Sequence, residues 1–350
     1  MTDGFSPDYE KVPLRSDEVK VGIIQSRVKM IDDADPAQGV KDNLKHMLNL
    51  LDMVQMRDRK DMVVFHEFPI GGFNFRWNRE QILKIALEVP GEETNLIAAK
   101  AKEYNCYVEF GCYAKLPDWP NHFFNMGIII GPGGDIVLKR WKTRNLAGLG
   151  FSTTIYDVLD EYLAKYGPEA LFPIARTDIG NLAIMPEVLE PELGRAYAMK
   201  GAEIIIRYMT LGAGFWRIKP LAWTGASHDH HSFRVDLQAQ CMAGHFFGLF
   251  VNDAISTEAE AFNRGQGHSV IFDPNGAIMV EAASESETML TATLPMASYR
   301  QHHQIPNFPK EIYQHLHGEY VPKFPANSFK QNMPDGNMAA VQHYSSIARW

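Results

Sequence analysis

The stretch Ile184–Arg195, which reads I-M-P-E-V-L-E-P-E-L-G-R, has the pattern of a strand that turns directly into a helix. In α/β enzymes the first residue of such a turn stands at the sheet edge, where a nucleophile is commonly presented. Met185 holds that position here. Its thioether neither loses a proton nor attacks a carbonyl group, so the residue type does not match the chemistry that the position favours.

The other side chains that suit nucleophilic or metal chemistry offer no replacement. Cys106 and Cys112 are spaced to share one face of a predicted strand and Cys241 lies in a predicted helix, so each is expected to be a small buried residue. No C-x-x-C spacing occurs, which argues against structural zinc and a disulfide framework. The H-D-H-H run at 228–231 and the other histidines match no established ligand pattern, so no metal site is predicted.

Composition narrows the class of protein and of partner. Of the 350 residues, 45% are hydrophobic and 22% are charged, which is typical of globular proteins. A net charge of -8 argues against nucleic acid as a partner. The N-terminus lacks the apolar core of a signal peptide, and no run is long enough to cross a membrane. We therefore expect a cytoplasmic protein that binds a small molecule and needs no cofactor.

Strands and helices alternate along the predicted chain and must position these residues. An apolar run at 62–65 predicts a buried strand that leads into His66 and Glu67, and Lys142 closes a later strand. The segment 143–168 has a weak pattern and predicts a loop or lid. The predicted strands are 19–25, 62–65, 106–113, 124–130, 136–141, 175–179, 181–185, 203–209, 246–252, a hairpin over 269–281, and 288–294; the predicted helices are 37–56, 79–87, 93–103, 156–165, 191–200 and 229–244.

These elements predict one main domain over 19–300, with an N-terminal segment over 1–18 and a C-terminal tail over 301–350. The tail contains repeated prolines, little periodicity and several large apolar residues. We expect it to pack on the domain or on a neighbouring subunit, because such residues are unfavourable in water. A homo-oligomer, either a dimer or a larger even assembly, is therefore predicted.

Four segments resemble the nitrilase superfamily of carbon-nitrogen hydrolases, especially its aliphatic amidase and formamidase branch. They are V-V-F-H-E-F at 63–68, I-V-L-K-R-W-K at 136–142, P-E-L-G-R-A-Y-A-M-K-G-A-E-I-I-I-R at 191–207 and G-H-S-V-I-F-D-P-N-G at 267–276. The similarity covers residues 19–300 approximately. It implies an α/β fold of the nitrilase type, which is a four-layer αββα sandwich.

The resemblance also implies roles for single residues. Glu67 would be the general base, and Lys142 would stabilise the oxyanion formed during attack on an amide or nitrile. Met185 stands where the family has its nucleophilic cysteine. Pro186 follows it, where the family uses a backbone N–H that proline lacks. A further family glutamate would fall near Gly150, where this sequence has no carboxylate.

Two functions from different classes are compatible with this pattern. The favoured one is an enzyme in which Glu67 and Lys142 perform noncovalent acid-base chemistry on a small amide-like, nitrile-like or other nitrogenous substrate, by hydrolysis, elimination or cyclisation. The alternative is a pseudoenzyme that keeps the fold as a binding or scaffolding protein. Further residues expected at the pocket are Glu187, Tyr208, Glu190, which could instead pair with Arg195 or Arg207, and His66, for which core packing is the favoured role.

Overall fold

The computed structural model describes residues 9–145, 150–210, 230–256, 265–330 and 333–350. Its strands are β1 (Val19–Gln25), β2 (Met62–Val64), β3 (Leu87–Glu88), β4 (Tyr107–Lys115), β5 (Phe124–Ile130), β6 (Ile136–Trp141), β7 (Ala175–Thr177), β8 (Gly180–Ile184), β9 (Ile204–Tyr208), β10 (Phe247–Val251), β11 (Val270–Phe272), β12 (Ile278–Glu281) and β13 (Thr288–Leu294). Its helices are α1 (Pro36–Arg57), α2 (Arg79–Ile85), α3 (Glu92–Tyr104), α4 (Leu159–Tyr166), α5 (Pro191–Met199), α6 (His230–Gly244), α7 (Met296–His302), α8 (Lys310–Glu319) and α9 (Asn337–Ile347).

The strands form two sheets within the described residues. One has the order β13-β1-β2-β4-β5-β6, with β3 paired to β4, and the other has the order β12-β11-β10-β9-β8-β7. In the first sheet β2 and β4 are parallel, and β5 is antiparallel to both β4 and β6. Strands β2, β4 and β6 therefore run in the same direction and end at one edge of the sheet.

Alternating side chains divide the core into layers. Ile204 and Ile206 of β9 pack with strands of the first sheet, whereas Ile205 between them packs with α5 and α6. In the first sheet, Met62 and Val64 of β2 pack against the second sheet. Val63, which lies between them, faces the other side and belongs to the cluster that includes Val40 of α1. Each sheet thus has one face on the other sheet and one face on helices. The expected four-layer αββα sandwich is confirmed.

Several strands begin and end where the sequence predicted, but the C-terminal tail contains helices that were not predicted. The strands at 19–25, 124–130, 136–141 and 288–294 begin and end where predicted. The predicted helix over 79–87 ends at Ile85 instead, and its last predicted residue begins β3. The tail, which showed little periodicity, contains α8 and α9. Helix α8 buries none of its residues against the described domain.

The end of the tail is attached to the segment that follows β6. Asp157 is buried there and accepts hydrogen bonds from the hydroxyls of Thr154 (2.6 Å), Ser328 (2.8 Å) and Tyr344 (3.0 Å). Burial raises the pKa of Asp157, and the three hydroxyls partly oppose that effect. Because two of the three donors come from the tail, this carboxylate fixes the C-terminal residues on the domain.

Replacing Tyr344 with phenylalanine should test this attachment. The substitution removes one hydrogen bond to a buried carboxylate, so we expect the free energy of unfolding to fall by about 1–3 kcal/mol. Tyr313→Phe is the matched control, since Tyr313 is 39% exposed on α8 and surface changes cost at most about 0.5 kcal/mol. Urea denaturation measures both values, and equal effects of the two substitutions would contradict the proposed anchor.

Candidate active site

Glu67 lies just beyond β2, at the edge where β2, β4 and β6 end. Its side chain is 7% exposed, so its carboxylate needs protein partners. Oε1 accepts a hydrogen bond from Asn125 Nδ2 (2.5 Å), and Oε2 accepts one from the backbone N–H of Thr210 (2.8 Å). Gly111 makes room for this corner, because a Cβ there would lie 2.4 Å from the carbonyl oxygen of Glu67.

Lys142 reaches the same edge from the end of β6. Its backbone N–H donates to the carbonyl oxygen of Asn125 (3.0 Å), which continues the pairing of β5 with β6 beyond the strands. The ammonium nitrogen lies 3.9 Å from Glu67 Oε1. The structure therefore brings together the two residues that the resemblance assigns to acid-base chemistry, and Asn125 contacts both.

Burial and neighbouring charge act in opposite directions on Glu67. Desolvation is the largest effect and raises the pKa of its carboxyl group. The positive charge of Lys142 and the hydrogen bonds from Asn125 and Thr210 lower that pKa, but they do not cancel the effect of burial. A carboxylate with a raised pKa is a stronger base once it has lost its proton.

The strand-turn-helix corner presents different residues to the solvent and to the core. Met185 is fully buried, and its sulfur lies 3.8 Å from Arg207 Nη2 as a weak hydrogen-bond acceptor. Pro186 and Glu187 line a pocket beside Glu67, and Met185 does not. The nucleophile position inferred from the resemblance therefore faces the protein interior.

Glu187 is held next to Lys142 by the segment that follows β6. Its Oε1 accepts hydrogen bonds from the backbone N–H of Thr143 and from Arg140 Nη2, the latter at 3.3 Å. Its Oε2 is buried and has no hydrogen-bond partner among the described residues. Glu187 thus adds a second carboxylate to the pocket, at 2% exposure.

Glu190 pairs with a different arginine from those considered in the sequence. It forms an ion pair with Arg144 at the pocket, so the expected pairing with Arg195 or Arg207 is wrong. Arg207 is fully buried and instead binds Asp236 at 2.5 Å. Arg144 lies two residues after Lys142 and lines the pocket with Glu190. Arg207 instead lies in β9, where it is buried and bound to Asp236.

The pocket beside Glu67 has about 860 Å³ of empty space, including the part open to solvent. One side is apolar and largely aromatic, and the other carries the charged and amide side chains. The apolar lining includes Phe68, Phe73, Ile82, Tyr113, Phe123, Phe151, Val188, Met209 and Phe233, and the polar lining is Glu67, Asn74, Asn125, Lys142, Arg144, Asn145, Ser152, Glu187, Glu190, Thr210 and Asn337. Such a combination is typical of sites for small organic molecules.

All three cysteines of the chain are free and buried, and none of them lines this pocket. Burial raises the pKa of Cys106 to about 11 and raises the pKa values of Cys112 and Cys241 as well. The reactive form of a cysteine is the thiolate, which these surroundings disfavour. No thiol of this chain is therefore placed to replace a nucleophile at residue 185.

Neither His66 nor Tyr208 lines the pocket. For His66 this agrees with the core packing favoured from the sequence, whereas Tyr208 was expected at the pocket. His66 is fully buried, its Nε2 lies 2.8 Å from the hydroxyl of Ser26, and burial lowers its pKa to about 3. Tyr208 is buried between the sheets and donates a hydrogen bond to Asn125 Oδ1 (3.4 Å). Each precedes a residue that lines the pocket, since Glu67 follows His66 and Met209 follows Tyr208. Adjacent side chains on an extended chain face opposite sides, so His66 and Tyr208 face away from the pocket.

No cluster of three or more potential metal ligands occurs among the described residues. The H-D-H-H run at 228–231 lies outside the residues whose side chains are described. Within the described chain, no helix combines the length and apolar character needed to cross a membrane.

Asn125, Thr210 and Asn337 are among the pocket residues that sequence reasoning missed. Asn125 lies in β5 of the first sheet and Thr210 follows β9 of the second, so the two meet at Glu67 only when the two sheets pack together. Asn337 comes from the tail, where it accepts a hydrogen bond from the N–H of Gly150 (2.9 Å) and donates one to the carbonyl oxygen of Phe75 (2.8 Å). For Asn125 and Thr210, the position near the end of a strand was a signal available in the sequence. For Asn337, at the start of α9, the sequence contained no such signal.

The fold and site define a four-layer αββα sandwich with a glutamate and a lysine at one sheet edge. Residues 20–304 match the model of the carbon-nitrogen hydrolase family, and the chain belongs to that family. A formamidase from Bacillus cereus is 30% identical over 155 residues, which are 42% of this chain and 40% of the formamidase. The match thus spans less than half the length of that relative.

Solved structures show the same fold. A carbon-nitrogen hydrolase from Helicobacter pylori superposes with a TM-score of 0.62 at 16% identity, over 81% of this chain and 91% of the other. An amidase mutant from Nesterenkonia sp. superposes with a TM-score of 0.54 at 14% identity, over 85% and 97% of the two chains. In that amidase the acetamide moiety of fluoroacetamide is covalently added at the active-site cysteine.

Replacing Lys142 with methionine should change the ionisation of Glu67. The substitution removes the positive charge 3.9 Å from Oε1, so we expect the pKa of Glu67 to rise further and its proton to be lost at higher pH. Carboxyl carbon NMR of glutamate-labelled protein, assigned with Glu67→Gln, measures this titration. Lys84→Met, which removes an exposed lysine paired with Glu80, is the control and should leave it unchanged. An unchanged titration in Lys142→Met would show that Glu67 does not sense this charge.

Proposed function

We propose that the protein acts on a small amide-like, nitrile-like or other nitrogenous substrate by acid-base chemistry at Glu67 and Lys142, without a covalent intermediate on a thiol. One observation carries this proposal. Glu67 and Lys142 line the same pocket, whereas every cysteine of the chain lies outside it. The chain's membership of the carbon-nitrogen hydrolase family and its similarity to a formamidase support a C–N bond as the reacting group.

Direct hydrolysis is the reaction that uses both residues most simply. Glu67 takes a proton from water as the water oxygen bonds to the acyl carbon, and Lys142 stabilises the negative charge that develops on the carbonyl oxygen. The C–N bond then breaks, and the proton held by Glu67 moves to the leaving nitrogen. An amide and water thus give a carboxylic acid and an amine, and Glu67 returns to its ionised form.

The expected rate is below that of a thiol enzyme. Removing a covalent nucleophile commonly costs about 10⁴–10⁶ in rate, and general acid-base catalysis contributes about 10²–10⁴. Pro186 has no N–H to donate to an oxyanion, so Lys142 is the main positive group for that charge. In elimination or cyclisation, Glu67 would instead remove a substrate proton, and no added water would be needed.

A pseudoenzyme is the second candidate, and the corner supports it. Met185 is buried behind the pocket, and Pro186 lacks a donor at the pocket wall. A protein that only binds its ligand would need neither a nucleophile nor an oxyanion donor. This candidate predicts binding of small amides without turnover.

Ammonia release from formamide, acetamide and benzamide distinguishes the two candidates. We expect turnover by the wild type, with a loss of about 10²–10⁴ in rate for Glu67→Gln and for Lys142→Ala. Glu88→Gln is the control for the carboxylate, because Glu88 is exposed and lies outside the pocket. Equal binding by all variants, with no turnover by any, would contradict the enzyme and favour the pseudoenzyme.

The independence from thiols can be tested separately. A variant that combines Cys106→Ala, Cys112→Ala and Cys241→Ala should retain the wild-type rate within about threefold, since none of these residues touches the pocket. Circular dichroism checks that the variant is folded. Loss of activity in a folded variant would show that a cysteine takes part in the reaction.

The compartment and assembly are further proposals. Three free, buried thiols support a reducing compartment such as the cytoplasm. Ile312 and Leu316 of α8 are 71% and 62% exposed, which supports burial of this face in a homo-oligomer, either a dimer or a larger even assembly. Sedimentation velocity measures the oligomeric state.

A further inference from the structure

Thr210 has a hydroxyl group that the chemistry described above leaves unused. The residue follows β9, is 9% exposed and lines the pocket. Its backbone N–H donates to Glu67 Oε2 at 2.8 Å, which fixes the residue beside that carboxylate. Its Oγ1 is buried and has no hydrogen-bond partner among the described residues.

Ser152, another hydroxyl residue of the same pocket, has a hydrogen-bond partner within the protein. Its Oγ donates to Asn145 Oδ1 at 3.2 Å, and Asn145 Nδ2 donates back to the carbonyl oxygen of Ser152 at 2.8 Å. This hydroxyl is therefore part of the pocket wall. Thr210 Oγ1 is also buried, but it has no hydrogen-bond partner among the described residues.

A buried hydroxyl without a partner is unfavourable, so we expect a molecule in the pocket to satisfy it. An ordered water needs about 2–4 polar partners. Thr210 Oγ1 and the Glu67 carboxylate are two candidate partners, and the N–H of Thr210 holds the two residues next to each other. A substrate carbonyl carbon would approach from the open side of the pocket.

We propose that Thr210 holds the water that Glu67 activates, a role that rests on the hydrolysis proposed above. One O–H of the water donates to Thr210 Oγ1, and the other donates to Glu67. One of the two lone pairs of the water then faces the acyl carbon. As the new C–O bond forms, the proton directed at Glu67 is transferred to it and later leaves with the nitrogen, so Thr210 is unchanged at the end.

High-resolution crystal structures test the water position directly, without a known substrate. We expect an ordered water within hydrogen-bond distance of both Thr210 Oγ1 and the Glu67 carboxylate in the wild type. The same water should be present in Thr210→Ser and absent in Thr210→Val, which keeps the branched shape and the backbone N–H. Absence of the water from a fully ordered wild-type site would overturn the proposal, whatever the outcome of the activity assays.

Kinetics with whichever of the three amides is turned over supply the second test. We expect kcat to fall about 10²-fold in Thr210→Val with little change in KM, because a misplaced reactant loses rate without loss of binding. Thr210→Ser should recover most of the rate. If Thr210→Val keeps the wild-type kcat while Glu67→Gln is inactive, the water-holding role is wrong and the proposed hydrolysis stands. A covalent acyl adduct on Thr210, detected by mass spectrometry, would also overturn the role.

Discussion

The burial of the Glu67 carboxylate is the constraint on which the site depends. A carboxylate removed from water must be compensated by hydrogen bonds and positive charge. Glu67 obtains an amide donor from Asn125 on the first sheet and a backbone donor from Thr210 beyond β9 of the second sheet. Its backbone N–H also donates to the carbonyl oxygen of Met209 at 3.3 Å. The site is thus formed only when the two sheets are packed together.

This dependence links the core to the chemistry. The apolar side chains between the sheets set their separation, and that separation places Thr210 within hydrogen-bond distance of Glu67. Lys142 and Glu187 are positioned by the segment after β6, which the buried Asp157 in turn joins to the tail. A substitution far from the pocket can therefore change the pKa of Glu67, because it can change the distance between Glu67 and these donors and charges.

The family resemblance was sufficient to predict the layers and the meeting of Glu67 with Lys142, and the structure shows that both residues follow strands that run in one direction. It was not sufficient for contacts between distant segments, such as Arg144 with Glu190. Glu109 is another example. Its V-E-F context predicts an ordinary strand residue, yet it is fully buried, both its oxygens lack partners among the described residues, and its pKa is raised well above the usual range by burial. Periodicity assigns a residue to a face, but it does not show what covers that face.

The corner at Ile184–Arg195 shows how architecture and chemistry can separate. Arg207 binds Asp236, and Asp236 accepts a hydrogen bond from the N–H of Leu189 at 3.1 Å, so the turn is held from below by an ion pair. Met185 fills the space above Arg207 with an apolar side chain that needs no further hydrogen bond. The corner therefore remains well packed without a thiol, and the ionisable groups that line the pocket include the carboxylates of Glu67 and Glu187 and the ammonium of Lys142. Because those groups move protons and do not form acyl bonds readily, the preserved corner supports chemistry in which water or a substrate proton, and not a protein thiol, is the reacting partner.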